Sequence, residues 1–418
     1  MKDDDARHSS RNYFVLCLVI LALTFGEAVW VTGLSFLTQG SSGRFGLPKD
    51  QEGLYATSFF AGQVISSVFF GWVADARGRR FALMCSLFTS FAGGLLSAFA
   101  PVSEGTFGFV PLLSCCLLAG VGVGGAVPVT QSYVVEYFPS SHRGLYTCLA
   151  SLGWPIGGVI STVLAWMLFP PESITPAFIS PSSSSSSSSS TSTHGWTLVC
   201  FTNSNTGSSR WPVLYMWLGG FNTLVLVLIF IYLPKSPHFI RLTTSTTTTP
   251  TYTARQLLSS PLSPPVAFPY SLYKTFSLLG IIWFAVSSSG NGFSTFLPVF
   301  LKELQTEMPN VGAQNIYTTL ILSSLVGIPG VTLASFAVES TYFGRKSVCF
   351  VSTLLASLSF VLFLGAKEEW EIIGASCLQN FVIQSSWAAV VCLTSEVGFC
   401  LYNIYNECQD CISCTSKI

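Results

Sequence analysis

Charge is what this chain has least of. Of its 418 residues only 9% are Asp, Glu, Lys or Arg, against about a quarter in an ordinary soluble domain. So few charged side chains cannot clothe a water-facing surface. The nineteen basic and nineteen acidic residues cancel, which leaves no net field to attract nucleic acid. Histidine is equally sparse: His8, His142, His194 and His238 all lie outside the apolar runs. The chain has no HExxH, no GxSxG and no phosphate-binding Walker loop. A membrane hydrolase or desaturase would need such clusters, so neither an enzyme nor a cofactor is expected. Asn-x-Ser/Thr acceptor sites are missing as well. The thirteen cysteines stand mostly singly inside apolar runs, where they act as small hydrophobes rather than as a disulfide framework. Cys400, Cys408, Cys411 and Cys414 come nearest to zinc-binding spacing, but no histidine joins them. Lipid attachment suits them better than a metal site.

What the chain has in abundance is apolar length. Half of its residues are hydrophobic, and they gather into runs of the roughly 20 residues that a membrane helix needs. Ten such runs lie near residues 13–37, 54–74, 81–100, 109–135, 145–169, 212–233, 276–301, 316–338, 348–365 and 372–393. The last is interrupted by Gln379, Asn380 and Gln384. The first is too long for the apolar core of a signal peptide. The expected fold class is therefore an all-α, multi-pass membrane protein.

The basic residues orient it. With the N-terminus in the cytoplasm, inner segments hold fourteen of the nineteen Lys and Arg residues, and outer loops hold only Arg44, Lys49, Arg210, Lys302 and Lys367. Such an excess marks the cytoplasmic side. Two polar stretches divide the chain. Residues 169–211 face outward and contain the serine run 182–190, whose composition predicts disorder. Residues 234–275, rich in Ser, Thr and Pro, form a cytoplasmic linker between six spans and four. The expected units are thus 1–233, 234–275, 276–396 and a Cys-containing tail at 397–418.

The two halves echo one another. Gly78-Arg79-Arg80 follows the second run and Gly344-Arg345-Lys346 the eighth, while Glu136 ends the fourth run and Glu396 the tenth. Internal repeats of this kind are typical of transporter folds. The strongest motif is Gly71-Trp72-Val73-Ala74-Asp75-Ala76-Arg77-Gly78-Arg79-Arg80. Gly71 permits close backbone approach and Gly78 a tight turn. Asp75 suits a helix N-terminus, and the arginines suit carboxylates or lipid phosphates. The plain alternative is a positive-inside turn with two convenient glycines. The full pattern resembles the signature loop of the major facilitator superfamily.

Three further segments carry that resemblance. Glu136 and Arg143 are similar to the family's Glu-x6-Arg pair after the fourth helix. Leu233-Pro234-Lys235-Ser236-Pro237-His238 resembles the ending of the sixth helix in the sugar, organic-ion and synaptic-vesicle-two-like members. Gly153-Trp154-Pro155-Ile156-Gly157-Gly158 resembles a glycine-proline packing motif. The resemblance implies a twelve-helix transporter, here with six helices plus four and the last two absent, because residues 397–418 are too short and polar to supply them. It implies that Gly71, Asp75, Gly78, Arg79, Arg80, Glu136, Arg143, Gly344 and Arg345 govern closure of the cytoplasmic side. There are departures. Lys235 and His238 stand where the family has Glu and Arg. The acid expected three residues before Gly344 is replaced by Thr341, with Glu339 two residues further back. Asn403 stands at the arginine position after Glu396.

Glu27 is the only acidic residue well inside a run. An intramembrane charge costs at least a few kcal/mol and marks a functional site by default. It is expected to bind protons or a cationic group of a solute; a structural acid satisfied by water is the alternative. Gln63, Gln131, Asn222 and Asn291 could contact solute or could bridge helices. Trp154, Trp217, Trp283 and Trp387 could line a pocket or anchor at an interface. Gly120, Gly122, Gly124 and Gly125 lie in an apolar helix with no strand before them, which favours close helix packing over nucleotide binding. The expected function is symport or facilitated passage of a small organic solute, with protons and the lipid bilayer as further partners and the plasma membrane as the default location. The alternative is a truncated, transport-inactive product that partners a full-length relative.

Overall fold

A computed structural model describes residues 16–36, 53–99, 106–137, 143–168, 211–233, 270–307, 313–340 and 342–415. Among the described residues the helices are α1 (Leu16–Phe36), α2 (Leu54–Arg77), α3 (Arg79–Phe99), α4 (Thr106–Tyr137), α5 (Arg143–Ala150), α6 (Gly153–Leu168), α7 (Trp211–Tyr232), α8 (Tyr270–Glu307), α9 (Ala313–Glu339), α10 (Gly344–Gly365) and α11 (Glu369–Thr415). No strand occurs among the described residues. In lipid every backbone N–H and C=O must find its partner inside the segment, and a helix provides this. The outer loop at 169–210 and the linker at 234–269, with Lys235 and His238, lie outside the described residues.

Nine spans among the described residues are long and apolar enough to cross a bilayer, with α5 and α6 counted as one. The chain is thus a multi-pass membrane protein. α8 is not among the nine, although its apolar run had been expected to span; the Ser-Ser-Ser-Gly-Asn stretch at 287–291 dilutes its hydropathy. The interrupted last run does qualify, and α11 continues to Thr415, well past the expected end near 393.

Packing sorts the helices into two groups. α2, α3, α4 and α7 pack on one another, and α8, α9, α10 and α11 on one another. α5 and α6 pack against α9, with α5 also touching α11 and α6 lying against α1, so they form the seam between the groups. Within the first group the backbones approach closely. A Cβ on Gly120 would collide with the carbonyl of Phe59 in α2, and one on Gly62 with the carbonyl of Leu117 in α4. With lipid on the outside there is no hydrophobic drive between helices, so this contact comes from van der Waals packing of small residues. Two polar bonds reinforce it: Ser86 of α3 donates to the carbonyl of Gly122, and the Asn222 amide of α7 donates to Ser90 Oγ at 2.8 Å. Gly71, expected at a close approach, has nothing within 4 Å of where a Cβ would stand. It lies beyond the stretch of α2 that meets α4 most tightly.

Overpacking against a backbone carbonyl cannot be relieved by a rotamer change. Gly120→Val is therefore expected to cost about 3 kcal/mol or more and to abolish the monodisperse peak in detergent. Gly280→Ala, whose Cβ meets nothing within 4 Å, should leave the melting temperature unchanged within a degree or two. Thermal melts followed by size-exclusion chromatography check both.

Candidate functional site

The fifth span is broken where the sequence reading expects one continuous run. Pro155 has no N–H and cannot bond to the carbonyl of Ser151, so the helical ladder fails there. The chain tightens instead: Ser151 N–H bonds to Cys148 O at 2.9 Å, Leu152 N–H to Leu149 O at 3.0 Å and Trp154 N–H to Ser151 O at 3.1 Å. That leaves the carbonyl of Ala150 without its usual partner. Thr24 of α1 supplies one, its hydroxyl donating at 2.6 Å. Gly153 then lies so close to Leu21, Thr24 and Phe25 that a Cβ could not fit. The break in the fifth span is thereby fastened to the middle of α1, one turn from Glu27.

A cavity opens at this break. Thr24 and Glu27 of α1, Gln131 of α4, Ser151, Trp154 of α6 and Trp387 of α11 line it, so both helix groups contribute. Trp154 and Glu27 stand together in this lining. Trp154 and Trp387 lie with ring centroids 5.5 Å apart, and Trp283 of α8 meets Trp387 edge-on at 5.4 Å. Trp283 is itself fixed by a 2.7 Å bond from its N–H to Thr394. Among the described residues, no basic side chain lines the cavity. Its chemistry is one carboxylate, two or three indole faces and an amide whose buried oxygen, Gln131 Oε1, has no hydrogen-bond partner. The space left for the centre of a water molecule is about 20 Å³, enough for one or two waters at roughly 10–15 Å³ each.

Contacts between the groups stand toward both ends of the helices that line the cavity. At one end Tyr317 of α9 stacks on Phe36 of α1 and on Trp166 of α6, with centroids 6.0 and 6.3 Å apart. At the other, the face that carries the glycine-arginine turns, Glu339 of α9 accepts the backbone N–H of Leu145 at 3.0 Å. Leu145 lies in the first turn of α5, where N–H groups lack intrahelical partners and negative charge is favoured. The acid that the sequence shows two residues from its expected position therefore still reaches a helix N-terminus. Arg345 lies beside Gly144 at the same place.

The structure separates the sequence-derived candidates. Glu27 and Gln131 meet in the cavity. Gln63 lies instead at the α2–α4 seam against Gly124, and Asn222 bridges α7 to Ser90 while its side-chain oxygen crowds Gly26. Asn291 is half-buried on α8 and does not line the cavity. Among the tryptophans, Trp154 and Trp387 line it and Trp283 backs it, whereas Trp217 is half exposed and packs against Phe221. Gly78 and Gly344 take φ of 95° and 64°, a region L side chains avoid. Asp75 pairs with Arg79 at 2.5 Å, and Arg80 reaches the carbonyl and ring of Phe230 in α7. Glu136 lies in the last turn of α4 and Arg143 begins α5; their side chains lie outside the described set, as does that of Glu396 in α11.

Sequence reasoning missed two residues. Asn380 and Gln384 looked like interruptions of an apolar run. In fact they share one stripe of α11 with Trp387 and Val391, at the four-three-four spacing of a helix face. They sit against Gly327 of α9 and the Pro155 ring, and their side-chain oxygens are buried without partners. The spacing was the available signal.

Comparison with known proteins follows the same lines. A sequence profile of the Major Facilitator Superfamily matches residues 13–401. The chain is 24% identical over 379 residues to MFS siderochrome iron transporter 1 of Ceriporiopsis subvermispora, covering 81% of this chain and 67% of the relative. It is 32% identical over 158 residues to Synaptic vesicle glycoprotein 2A of Rattus norvegicus, covering 38% of this chain and 20% of that one. It is 33% identical over 144 residues to Organic cation/carnitine transporter 7 of Arabidopsis thaliana, covering 34% and 27%. The matched stretch thus spans two thirds of the first relative and about a fifth to a quarter of the other two. Among solved structures, the partially occluded inward-open xylose transporter XylE from E. coli superposes with a TM-score of 0.64 at 16% identity, covering 92% of this chain and 84% of that one.

Two substitutions test the site's scaffold. Thr24→Val removes the donor for Ala150 and leaves a buried carbonyl unsatisfied, which costs about 1–3 kcal/mol; Thr24→Ser should restore most of it. Glu339→Gln keeps an acceptor for Leu145 but loses the charge, so it should cost only about 0.3–1 kcal/mol. Melting temperatures in detergent should rank Thr24→Val below Glu339→Gln, and Glu339→Gln below the parent.

Proposed function

The chain belongs to the Major Facilitator Superfamily, and from that premise we propose that it is a secondary transporter that carries a small, positively charged organic solute by alternating access. The observation that supports this most directly is the position of Glu27: an acid in a cavity lined by both helix groups, beside a broken helix, with indole faces around it. Discontinuous helices at the meeting of two repeats are where transporters of this kind hold their substrates. An indole face attracts a cation, by about 0.5–1 kcal/mol when exposed and 2 or more when desolvated. A carboxylate then completes the site for a monovalent organic ammonium group.

The same geometry supports a coupling rule. Closing the cavity on a bare carboxylate is the costly state, because an unpaired charge cannot be solvated there. The cavity closes cheaply when Glu27 carries a proton or when it is paired with the cationic solute. Proton and solute therefore compete for one group, and each crossing takes one or the other. The face bearing the Gly78 and Gly344 turns is the cytoplasmic one in this proposal, since the basic residues concentrate there. Residues 1–233 and 276–396 act as the two rocking units, with 234–275 joining them. Asp75, Arg79, Arg80, Glu136, Arg143 and Arg345 hold that face closed together with Glu339. The relatives' names suggest the two solute classes to compare, an organic cation and a sugar.

In proteoliposomes with an imposed proton gradient, tetraethylammonium uptake is expected to exceed D-xylose uptake at least ten-fold. Glu27→Gln should abolish gradient-driven cation uptake while leaving membrane insertion and the elution profile intact. Xylose uptake alone, or a Glu27→Gln variant with unchanged gradient dependence, would overturn the assignment.

A further inference from the structure

The seam between the helix groups holds a pair of thiols that the transport cycle does not use. Cys148 lies on α5 and Cys392 on α11, and both are fully buried. Their helices face each other turn for turn. Cys148 Sγ donates to the carbonyl of Ala388 at 3.4 Å, and a Cβ on Gly144 would stand 3.4 Å from Cys392 Sγ. Gly144 and Cys148 are thus one turn apart on α5, opposite Ala388 and Cys392 one turn apart on α11. The two thiols are thus neighbours across the seam, offset by one helical turn. Both residues are free cysteines, and they sit toward the end where Glu339 meets Leu145.

We propose that Cys148 and Cys392 form an oxidation-sensitive clasp, in which a hydroperoxide converts the pair to a disulfide that pins the two helix groups together and holds this end of the transporter shut.

The chemistry balances in two steps. One thiolate attacks the peroxide: an S–O bond forms, the O–O bond breaks, and the thiol's proton leaves with the departing oxygen as water or an alcohol. The second sulfur then attacks the resulting sulfenic acid. An S–S bond forms, the S–O bond breaks, and the second thiol's proton leaves in water. Two thiols and one hydroperoxide give one disulfide, one water and one water or alcohol. The order is set by burial. With no exposure in the closed form, neither sulfur meets peroxide until α5 and α11 part. Once parted, they cannot reach each other, because a disulfide needs its two Cα atoms within about 7 Å. The sulfenic acid therefore forms in the open state and the disulfide on the next closure. This clasp goes beyond the cation-transport reading and depends only on relative movement of the two groups.

The test uses full-length protein in native membranes treated with hydrogen peroxide and then digested without reduction. Peptide mapping by mass spectrometry should recover the Cys148 peptide linked to the Cys392 peptide, and dithiothreitol should separate them. Cys148→Ser keeps a donor for the Ala388 carbonyl and should give no linked peptide. In unoxidised protein, N-ethylmaleimide should label both residues slowly; after peroxide treatment that labelling should fall at least ten-fold and return with dithiothreitol. Recovery of the two cysteines as separate sulfinic or sulfonic acids, or linked to other cysteines, would overturn the clasp. None of these readouts requires a known solute, so a failed uptake experiment and a failed clasp are told apart.

Discussion

Everything at the centre of this molecule depends on one carbonyl finding a donor. Pro155 interrupts the fifth span, and in a bilayer an interrupted helix exposes polar backbone to a medium that cannot hydrate it. The structure solves this locally, with one side chain: the Thr24 hydroxyl closes on Ala150. That bond fixes the height of α1 against the break, and with it the height of Glu27, one turn along. Beside it, Gly153 lies against α1, and Trp154 joins Glu27 in the cavity lining. A chemical group that would be a defect elsewhere becomes the reference point from which the cavity is built.

Much of the fold could be read from the chain before any coordinates. Scarce charge and apolar length led to a helical membrane protein, and Gly78, expected at a tight turn, takes a positive φ, as does Gly344. What could not be read was which polar residue faces which neighbour. Gln131 and Asn222 look equivalent in sequence, each a lone amide in an apolar helix. One faces the cavity and the other is held at the α3–α7 contact, a difference that depends on helix rotation rather than composition. Asn380 and Gln384 read as interruptions because averaged hydropathy does not distinguish a polar stripe on one helix face from dilution. The break at Ser151 was hidden for the opposite reason: Gly, Trp and Pro in an apolar run raise no alarm until Pro155's missing N–H is seen to shift the Trp154 N–H to Ser151 and so strand the carbonyl of Ala150.

The two helix groups are held by unlike means. Inside the first, glycine lets α2 and α4 approach to backbone contact, a rigid junction with little room for sliding. Between the groups, α5 and α6 pack against α9 and α11, with stacked rings toward one end, a carboxylate on a helix terminus toward the other and indoles in between.

The narrowness of the closed cavity sets a limit on leakage. A carrier that passes through this form without solute takes with it no more than the contents of about 20 Å³, or roughly one or two waters. Under the proposed exchange of proton and solute, idle cycling then leaks single particles per turnover, never a flowing column. The tight fit around Glu27 thus sets the tolerance within which the stoichiometry of the whole device can be kept.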